Sequence, residues 1–140
     1  MAKNKFSGNI FRNEPAPLVD TPFHQASGCI RRLAPTGFPI HIGIHQVEAE
    51  SDSERRDYSA PHQHDDQDEI NILISDSHLA YRLTFDDETY EVEAPATIWI
   101  PAGVSHSANV ISGSGTFVCL RIAVSNGAPP TPKDPAAGHS

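Results

Sequence analysis

The amino-acid sequence predicts an all-β fold, either an antiparallel barrel or a sandwich. Short stretches rich in β-branched and aromatic residues alternate with Pro, Gly, Asp and Ser through the central part of the chain. No stretch has the sustained 3.6-residue apolar period of an amphipathic helix. The chain has 140 residues, a length that suits one domain with a single core.

Eight stretches predict β-strands, and the residues between them predict turns. The strands span residues 29–33, 40–47, 69–75, 79–85, 89–92, 97–100, 106–111 and 115–124. Asp86 and Asp87 predict a tight hairpin between the fourth and fifth strands, because Asp favours turn conformations. The sequence Gly-Ser-Gly at 113–115 predicts another hairpin. Pro101 and Gly103 predict a turn before the seventh strand.

The segments that flank the predicted strands are polar and interrupted by proline. We expect residues 1–28 to form an N-terminal arm, residues 29–125 to form the β-barrel, and residues 126–140 to form a flexible tail rich in Pro and Gly. Residues 48–58 are highly charged and could form one short turn of helix, although their charge favours a solvated loop.

Composition and charge exclude several classes of function. The formal net charge is −8, which argues against a nucleic-acid partner because phosphates need clustered Lys and Arg. No apolar run approaches the roughly 18 residues of a membrane span, and the N-terminus has no signal-peptide pattern. The two cysteines do not make a disulfide framework, and Cys119 is predicted to be a small core residue. We expect a cytoplasmic protein.

Four residues predict a metal site. His62 and His64 are two positions apart, so on an extended backbone both imidazoles point to the same face. Glu69 follows closely along the chain and can join them across a tight connection. His106 comes just after the predicted turn at residues 101–103, which reverses the chain and makes this histidine the candidate for a fourth ligand.

Two segments of the sequence resemble the motifs of the cupin superfamily. HQHDDQDE resembles HxHx(3,4)E, and PAGVSHSAN resembles PxGxxH followed by Asn. The resemblance covers residues 40–124 and implies a small, single-domain, metal-binding cupin with a double-stranded β-helix, which is a jelly-roll-like antiparallel barrel. In that family the corresponding residues bind the metal, here His62, His64, Glu69 and His106.

Three imidazoles and one carboxylate suit one divalent metal ion of intermediate softness. We expect Fe(II), with Mn, Ni, Co or Zn as alternatives. Asp65, Asp66 and Asp68 lie inside the first motif and either orient the imidazoles from behind or form a solvated acidic loop. The charge run favours the solvated loop.

The alternation of inward-facing and outward-facing side chains along residues 69–75 predicts that the chain forms a homodimer. If Glu69 points into the barrel, then Ile70, Ile72 and Ile74 point outward. Each exposed large aliphatic side chain forgoes roughly 1.5–3 kcal/mol of burial. We therefore expect the N-terminal arm or a second copy of the chain to cover them, and the prediction is a homodimer.

Three further residues are candidates for the substrate pocket. In residues 40–47 the isoleucines are predicted to face the core, and His41 and His45 then face outward; in the alternative orientation, both histidines line the cavity as acid–base groups. Arg121 shares a strand face with Phe117 and Cys119. It either binds an anionic substrate inside the barrel or lies on the barrel exterior, and the sequence leaves both options open.

The predicted function is a metal-dependent enzyme that acts on a small organic molecule inside the barrel. The leading hypothesis is dioxygenase-type or Lewis-acid chemistry on a carbonyl-bearing or enolisable substrate. A lyase, an isomerase or a polyketide-type cyclase would use the same ligand set. A non-catalytic protein that binds or senses a small molecule through the metal is a further alternative. A metal-free sugar-type isomerase is disfavoured because the ligand set is complete.

Overall fold

The structure is a computed structural model that describes residues 5–124. Within this range the chain forms three short 3₁₀ helices, Ser7–Asn9, Leu18–Asp20 and Ala49–Ser51, and no α-helix. Eight strands account for the rest of the regular structure: β1 Asn13–Pro15, β2 Ile30–Pro35, β3 Ile42–Glu48, β4 Gln67–Ile74, β5 Leu79–Phe85, β6 Glu88–Glu93, β7 Ala96–Ile100 and β8 His106–Ala123. The described residues therefore contain no helix that could cross a membrane.

The strands pair in an antiparallel arrangement that confirms the predicted all-β class. The larger sheet has the order β1-β2-β3-β8-β4-β7, and β5 pairs with β6 and with β8. The strand β8 belongs to both groups, because its first part pairs with β5 and its second part pairs with β3 and β4. Two sheets that share a long strand in this way enclose an interior between them.

The predicted hairpin at residues 113–115 is wrong, because β8 continues through these residues as one strand of 18 residues. Gly113 has a φ of +90°, and a Cβ atom at this position would lie 2.0 Å from the carbonyl oxygen of His78. The same carbonyl accepts a hydrogen bond from the backbone N–H of Ser114 at 2.7 Å. Glycine here lets the strand bend from one sheet to the other instead of turning back.

The predicted hairpin at Asp86 and Asp87 is confirmed. Phe85 on β5 pairs with Glu88 on β6, so the connection has two residues. Asp86 has a φ of +52°, a conformation that Asp adopts more readily than most residues and that two-residue hairpins require.

Apolar side chains from both sheets fill one end of the interior. Leu73 on β4 and Leu79, Tyr81 and Leu83 on β5 are at most 1% exposed, so these faces of both strands point into the interior. Tyr81 stacks on Phe117 of β8, with ring centroids 4.6 Å apart. This cluster packs the two sheets together and so stabilises the barrel.

The predicted orientation of β3 is wrong. His45 and Val47 are buried, whereas Ile40 just before the strand is 41% exposed and Ile44 is half-buried. The isoleucines therefore lie on the outer face, and the face that carries His45 lines the interior. The expectation that the more apolar face of a strand is buried fails here, because this part of the interior is a polar site, as described below.

The predicted N-terminal arm contains ordered structure. β1 pairs with β2 at one edge of the larger sheet, and Leu18 is 5% exposed and packs in the core. Residues 48–58 contain the short helix Ala49–Ser51 and end at Tyr58, which is 1% exposed. The predicted flexible tail, residues 126–140, lies outside the described residues.

Candidate metal centre

The four predicted ligands converge at one end of the barrel. His62, His64, Glu69 and His106 each offer a ligand atom, and all four atoms lie within 4.8 Å of one another. Glu69 and His106 are buried, and His62 and His64 are partly exposed. The residues come from three separate parts of the chain, and the fold brings these parts together.

Backbone pairing places the two histidine segments side by side. His62 forms an isolated antiparallel bridge with His106, in which the N–H of each donates to the carbonyl of the other, at 3.0 and 2.8 Å. The two imidazole centroids are 4.5 Å apart. His64, two positions beyond His62, points to the same side, as expected for extended backbone, and its ring centroid is 5.1 Å from that of His62.

Glu69 enters the site from β4. Its Oε1 lies 3.2 Å from Nε2 of His106 and 3.3 Å from Nε2 of His64. Its Oε2 accepts a hydrogen bond of 2.9 Å from the side-chain amide of Asn71, which is fully buried two positions further along β4. Asn71 therefore holds the carboxylate so that Oε1 faces the imidazoles.

Two imidazoles have their orientation set by backbone carbonyls. Nδ1 of His62 donates to the carbonyl of Ala60 at 2.7 Å, and Nδ1 of His106 donates to the carbonyl of Val104 at 2.9 Å. Because a carbonyl only accepts, Nδ1 carries the hydrogen in both rings, and in a neutral ring Nε2 keeps its lone pair. The lone pair of His106 then faces a carboxylate oxygen, and such a contact needs a proton or a cation between the two atoms.

The pKa values of the site reflect burial and this contact. Burial raises the pKa of Glu69, but the hydrogen bond and charge of His106, together with Asn71 and His64, outweigh burial, and the net pKa is about 2. Burial lowers the pKa of His106, but the hydrogen bond and charge of Glu69 raise it above its usual value overall. Burial lowers the pKa of His62 and of His64. The site thus keeps a charged carboxylate beside three imidazoles, and burial favours the neutral form, which can bind a cation, in His62 and His64.

A buried acidic residue anchors the turn that precedes His106. Asp68 is 0% exposed, and its Oδ1 accepts a hydrogen bond of 2.8 Å from the backbone N–H of Ala102. The N–H of Gly103, where φ is +85°, donates to the carbonyl of His64 at 2.8 Å. The prediction that the acidic residues form a solvated loop is therefore wrong for Asp68, although Asp65 and Asp66 are exposed.

Three of the four ligands, His62, His64 and Glu69, form part of the wall of a cavity of about 200 Å³. His41, His45 and Arg121, the three pocket candidates from the sequence, all line it. Cys119, predicted as a core residue, lines it as well, and burial raises the pKa of its thiol well above the usual value. The burial of His41 and His45 lowers their pKa values to about 4 and about 3, so both imidazoles are neutral at pH 7.

Sequence reasoning missed residues of the cavity that come from the N-terminal part of the chain. Phe23 stacks on the imidazole of His62, with centroids 5.3 Å apart and planes 2° from parallel, although Phe23 is itself 61% exposed. His24 packs against the edge of the same imidazole, and Arg32 on β2 also lines the cavity. These residues belong to no local motif, so only the fold reveals their place in the site.

Comparison with solved structures identifies the type of fold. No family model and no curated protein sequence matches the chain. A predicted oxalate decarboxylase from Thermotoga maritima superposes with a TM-score of 0.57 at 10% identity, over 83% of this chain and 96% of that one. An RmlC-like cupin from Shewanella frigidimarina superposes with a TM-score of 0.52 at 10% identity, over 89% and 95%.

A third structure is an HEPD from Streptomyces albus with 2-hydroxyethylphosphonate and Fe(II) bound. It superposes with a TM-score of 0.50 at 16% identity, over 86% of this chain but 26% of that chain. At these identities the similarity concerns the fold. The chain therefore has a cupin-type barrel, in agreement with the resemblance of its two motifs.

Proposed function

We propose that the protein is a metal-dependent enzyme that acts on a small organic molecule inside the barrel, by dioxygenase-type or Lewis-acid chemistry on a carbonyl-bearing or enolisable substrate. One observation carries this proposal: three imidazoles and one carboxylate have ligand atoms within 4.8 Å of one another, and three of these four residues line a cavity. A site at the wall of a cavity leaves room for a substrate beside the metal.

The four residues fit a divalent metal ion. Metal–ligand bonds of about 2.0–2.2 Å place neighbouring ligand atoms about 3 Å apart. The distances from Glu69 Oε1 to Nε2 of His64 and His106, 3.3 and 3.2 Å, are close to this separation. We favour Fe(II), supported by the donor set and by the Fe(II) in the Streptomyces albus structure. Mn, Ni, Co and Zn suit the same ligands.

When bound, the metal would supply a Lewis-acid centre, and as iron it would also supply the redox chemistry needed to use dioxygen. The chain's own residues supply hydrogen bonds to the substrate and exclusion of water. His41 and His45 face the cavity, and burial lowers their pKa values to about 4 and about 3, so each is neutral at pH 7 and can hydrogen-bond to a substrate without adding charge. Phe117 and Tyr58 form apolar parts of the wall.

The proposal also includes a homodimer. Ile70 and Ile72 are half-buried on the outer face of β4, and Ile74 is 53% exposed. Strand β1, from the predicted arm, lies at the opposite edge of the sheet from β4 and β7. This placement favours a second copy of the chain as the cover for these isoleucines. Analytical ultracentrifugation of wild-type and Ile72→Asp protein tests it: we expect a dimer that dissociates in the variant, and a monomeric wild type would contradict the dimer.

The test of the metal site is elemental analysis of protein purified without chelator. We expect about one divalent metal ion per chain, because residues 5–124 contain one such set of four ligands. His64→Ala should remove the metal, whereas the control His78→Ala, which alters an exposed histidine bonded to Ser112, should retain it. A His64→Ala protein that still binds metal stoichiometrically would contradict the assigned site.

The reaction class is tested by oxygen uptake. The iron(II) form should consume dioxygen with an enolic or catecholic test compound if the chemistry is of the dioxygenase type. Turnover of the compound without oxygen uptake would instead indicate a lyase, isomerase or cyclase that uses the same ligands. Binding without any turnover would indicate a sensing protein. Activity that survives in a metal-free His106→Ala variant would refute the metalloenzyme proposal.

A further inference from the structure

Two guanidinium groups enter the cavity beside the candidate ligands. Arg32 comes from β2 and Arg121 from β8, and both line the same cavity while remaining only partly exposed. The ion pairs found among residues 5–124 include neither of them. Partly buried charges are costly without a counter-ion, so this pair of arginines needs an explanation.

A glycine makes space for Arg32 inside the barrel. Arg32 lies opposite His45 in the pairing of β2 with β3, and its guanidinium lies over Gly43. A Cβ atom on Gly43 would be 3.1 Å from Nη2 and 3.2 Å from Nε of Arg32. Nη1 donates a hydrogen bond of 3.1 Å to the carbonyl of Ala16. That bond holds one end of the planar group, and the Nε–Nη2 edge is left for another partner.

Arg121 approaches the ligands directly. It lies opposite Glu69 in the pairing of β8 with β4, and its Nη1 is 3.4 Å from Nδ1 of His64. When the Nε2 lone pair of a neutral His64 binds a metal, Nδ1 carries the hydrogen and cannot accept from Arg121. The guanidinium of Arg121 is then free to donate to a ligand in the cavity.

The electrostatics of the pair favour an anion. Burial and the neighbouring charge of Arg121 lower the pKa of Arg32, yet a guanidinium keeps its charge at neutral pH. Glu69, which lies opposite Arg121 in the pairing of β4 with β8, is already committed to His64, His106 and Asn71. An anionic group between the two arginines would relieve their mutual repulsion and satisfy their free N–H groups.

We propose that Arg32 and Arg121 form an anion subsite that binds the carboxylate of a small substrate while a second oxygen of that substrate reaches the metal centre. Planar guanidinium groups match a carboxylate with paired hydrogen bonds, which is why a carboxylate is the assigned group. The identification of the second oxygen as a metal ligand rests on the proposed function; the binding of the anion does not. The substrate class is thus a small carboxylic acid with a nearby carbonyl, hydroxyl or enol.

The test uses isothermal titration calorimetry of the full chain loaded with Co(II), with pyruvate as the probe and the uncharged pyruvamide as its matched partner. Wild-type protein should bind pyruvate at least about 10-fold more tightly than pyruvamide, because charge-assisted hydrogen bonds are the stronger ones. Arg32→Gln should weaken pyruvate binding at least about 10-fold and leave pyruvamide almost unchanged. Arg32→Lys should give an intermediate value, since it keeps the charge but loses the planar fork.

Two further variants sharpen the result. Arg31→Gln removes an exposed neighbour on the same strand and should bind pyruvate like the wild type. Gly43→Ala should weaken pyruvate binding by displacing the guanidinium without removing it. Methylphosphonate is titrated in parallel, and tighter binding of methylphosphonate than of pyruvate would overturn the carboxylate assignment. Equal binding of pyruvate and pyruvamide to the wild type, or no binding of pyruvate, would overturn the subsite.

The metal content of each preparation separates this inference from the proposed function. If the wild type holds metal and Arg32→Gln binds pyruvate as tightly as the wild type does, the subsite fails and the metal centre stands. If the wild type holds no metal but pyruvate raises its melting temperature in an Arg32-dependent way, the metal centre fails and the anion subsite stands.

Discussion

The replacement of His45 by Gln should change how the stability of the protein depends on pH. His45 is 4% exposed and lies between Tyr58 and Phe117, with ring centroids 5.7 and 5.3 Å away. Burial lowers its pKa from 6.5 to about 3. The unfolded chain therefore binds a proton at His45 between pH 6.5 and about 3, whereas the folded chain does not. By linkage, the free energy of unfolding must fall as the pH falls through this window.

The size of the effect follows from the two pKa values. At pH 7 an unfolded histidine is mostly neutral, so His45 costs only about 0.2 kcal/mol of stability. At pH 5 the unfolded histidine is almost fully protonated while folded His45 remains neutral, and the cost is about 2 kcal/mol. The wild type should thus lose about 2 kcal/mol through His45 between pH 7 and pH 5. His45→Gln removes this loss, because Gln does not titrate.

Urea unfolding of chelator-treated protein at pH 7 and pH 5 measures the difference. The chelator is needed because metal binding is itself dependent on pH. Each protein is compared with itself at the two pH values, so a constant destabilisation by the buried Gln cancels. His78→Gln, which removes an exposed histidine, is the control and should follow the wild type. Equal losses of stability in the wild type and His45→Gln would refute the reasoning, because His45 would then be as easily protonated in the fold as in the unfolded chain.

Three other predictions concern one metal ligand and two residues that stabilise the barrel. Glu69→Gln should lower metal affinity at least about 10-fold, measured by competition with a chelating dye, because it removes the only negative charge of the ligand set; unchanged affinity would exclude Glu69 as a ligand. Asn109→Ala should lower the free energy of unfolding by about 2–4 kcal/mol in urea titrations, since the Asn109 side chain accepts from the N–H groups of Tyr58 and Ser59 at 2.8 and 2.9 Å and both would be left buried and unpaired; a loss below about 1 kcal/mol would mean that water replaces it. Gly113→Ala should lower the melting temperature far more than Gly37→Ala, because both have positive φ but only the new Cβ at 113 meets a backbone oxygen; equal shifts would contradict the steric account.

The ligands could be predicted from sequence because their geometry is largely local. Residues two apart on an extended backbone share a face whatever the rest of the fold does, and this places His62 beside His64. The turn with Pro101 and Gly103 is likewise encoded by the residues that form it. The position of His106 needed more, because only the pairing with His62 brings it within reach. The presence of both cupin-like motifs in the usual order predicted that His106 joins the other ligands, whereas residue spacing alone leaves this open.

The orientation of β3 could not be predicted, because the apolar pattern assumes that the interior is apolar. Ile42 and Ile44 alternate with Gly43 and His45, and the usual rule buries the isoleucines. In this barrel the interior at that point holds charged and polar groups, and the isoleucines lie half-buried on the outer face. The strand is therefore a case in which a functional site reverses the rule that predicts the fold.

The same reversal shows where the site lies when neighbouring strands are considered together. Inward-facing positions change from apolar or aromatic toward polar at one end of the barrel on three adjacent strands: Leu73, Asn71 and Glu69 on β4; Phe117, Cys119 and Arg121 on β8; and Val47, His45, Gly43 and His41 on or beside β3. The strand register aligns these positions, because Leu73 lies opposite Phe117, Glu69 lies opposite Arg121, and the N–H of Arg121 donates to the carbonyl of His41. Because β8 runs antiparallel to both neighbours, the polar residues come late in the sequence of β8 but early in the sequences of β3 and β4. Only the strand register shows that these polar residues lie at the same end of the barrel. Each strand read alone shows isolated polar residues, whereas the sheet shows a continuous polar end on which both the metal ligands and the two arginines are built. The glycine at position 43 has the same explanation: a residue that weakens a strand interior is kept where its missing side chain gives Arg32 access to the cavity.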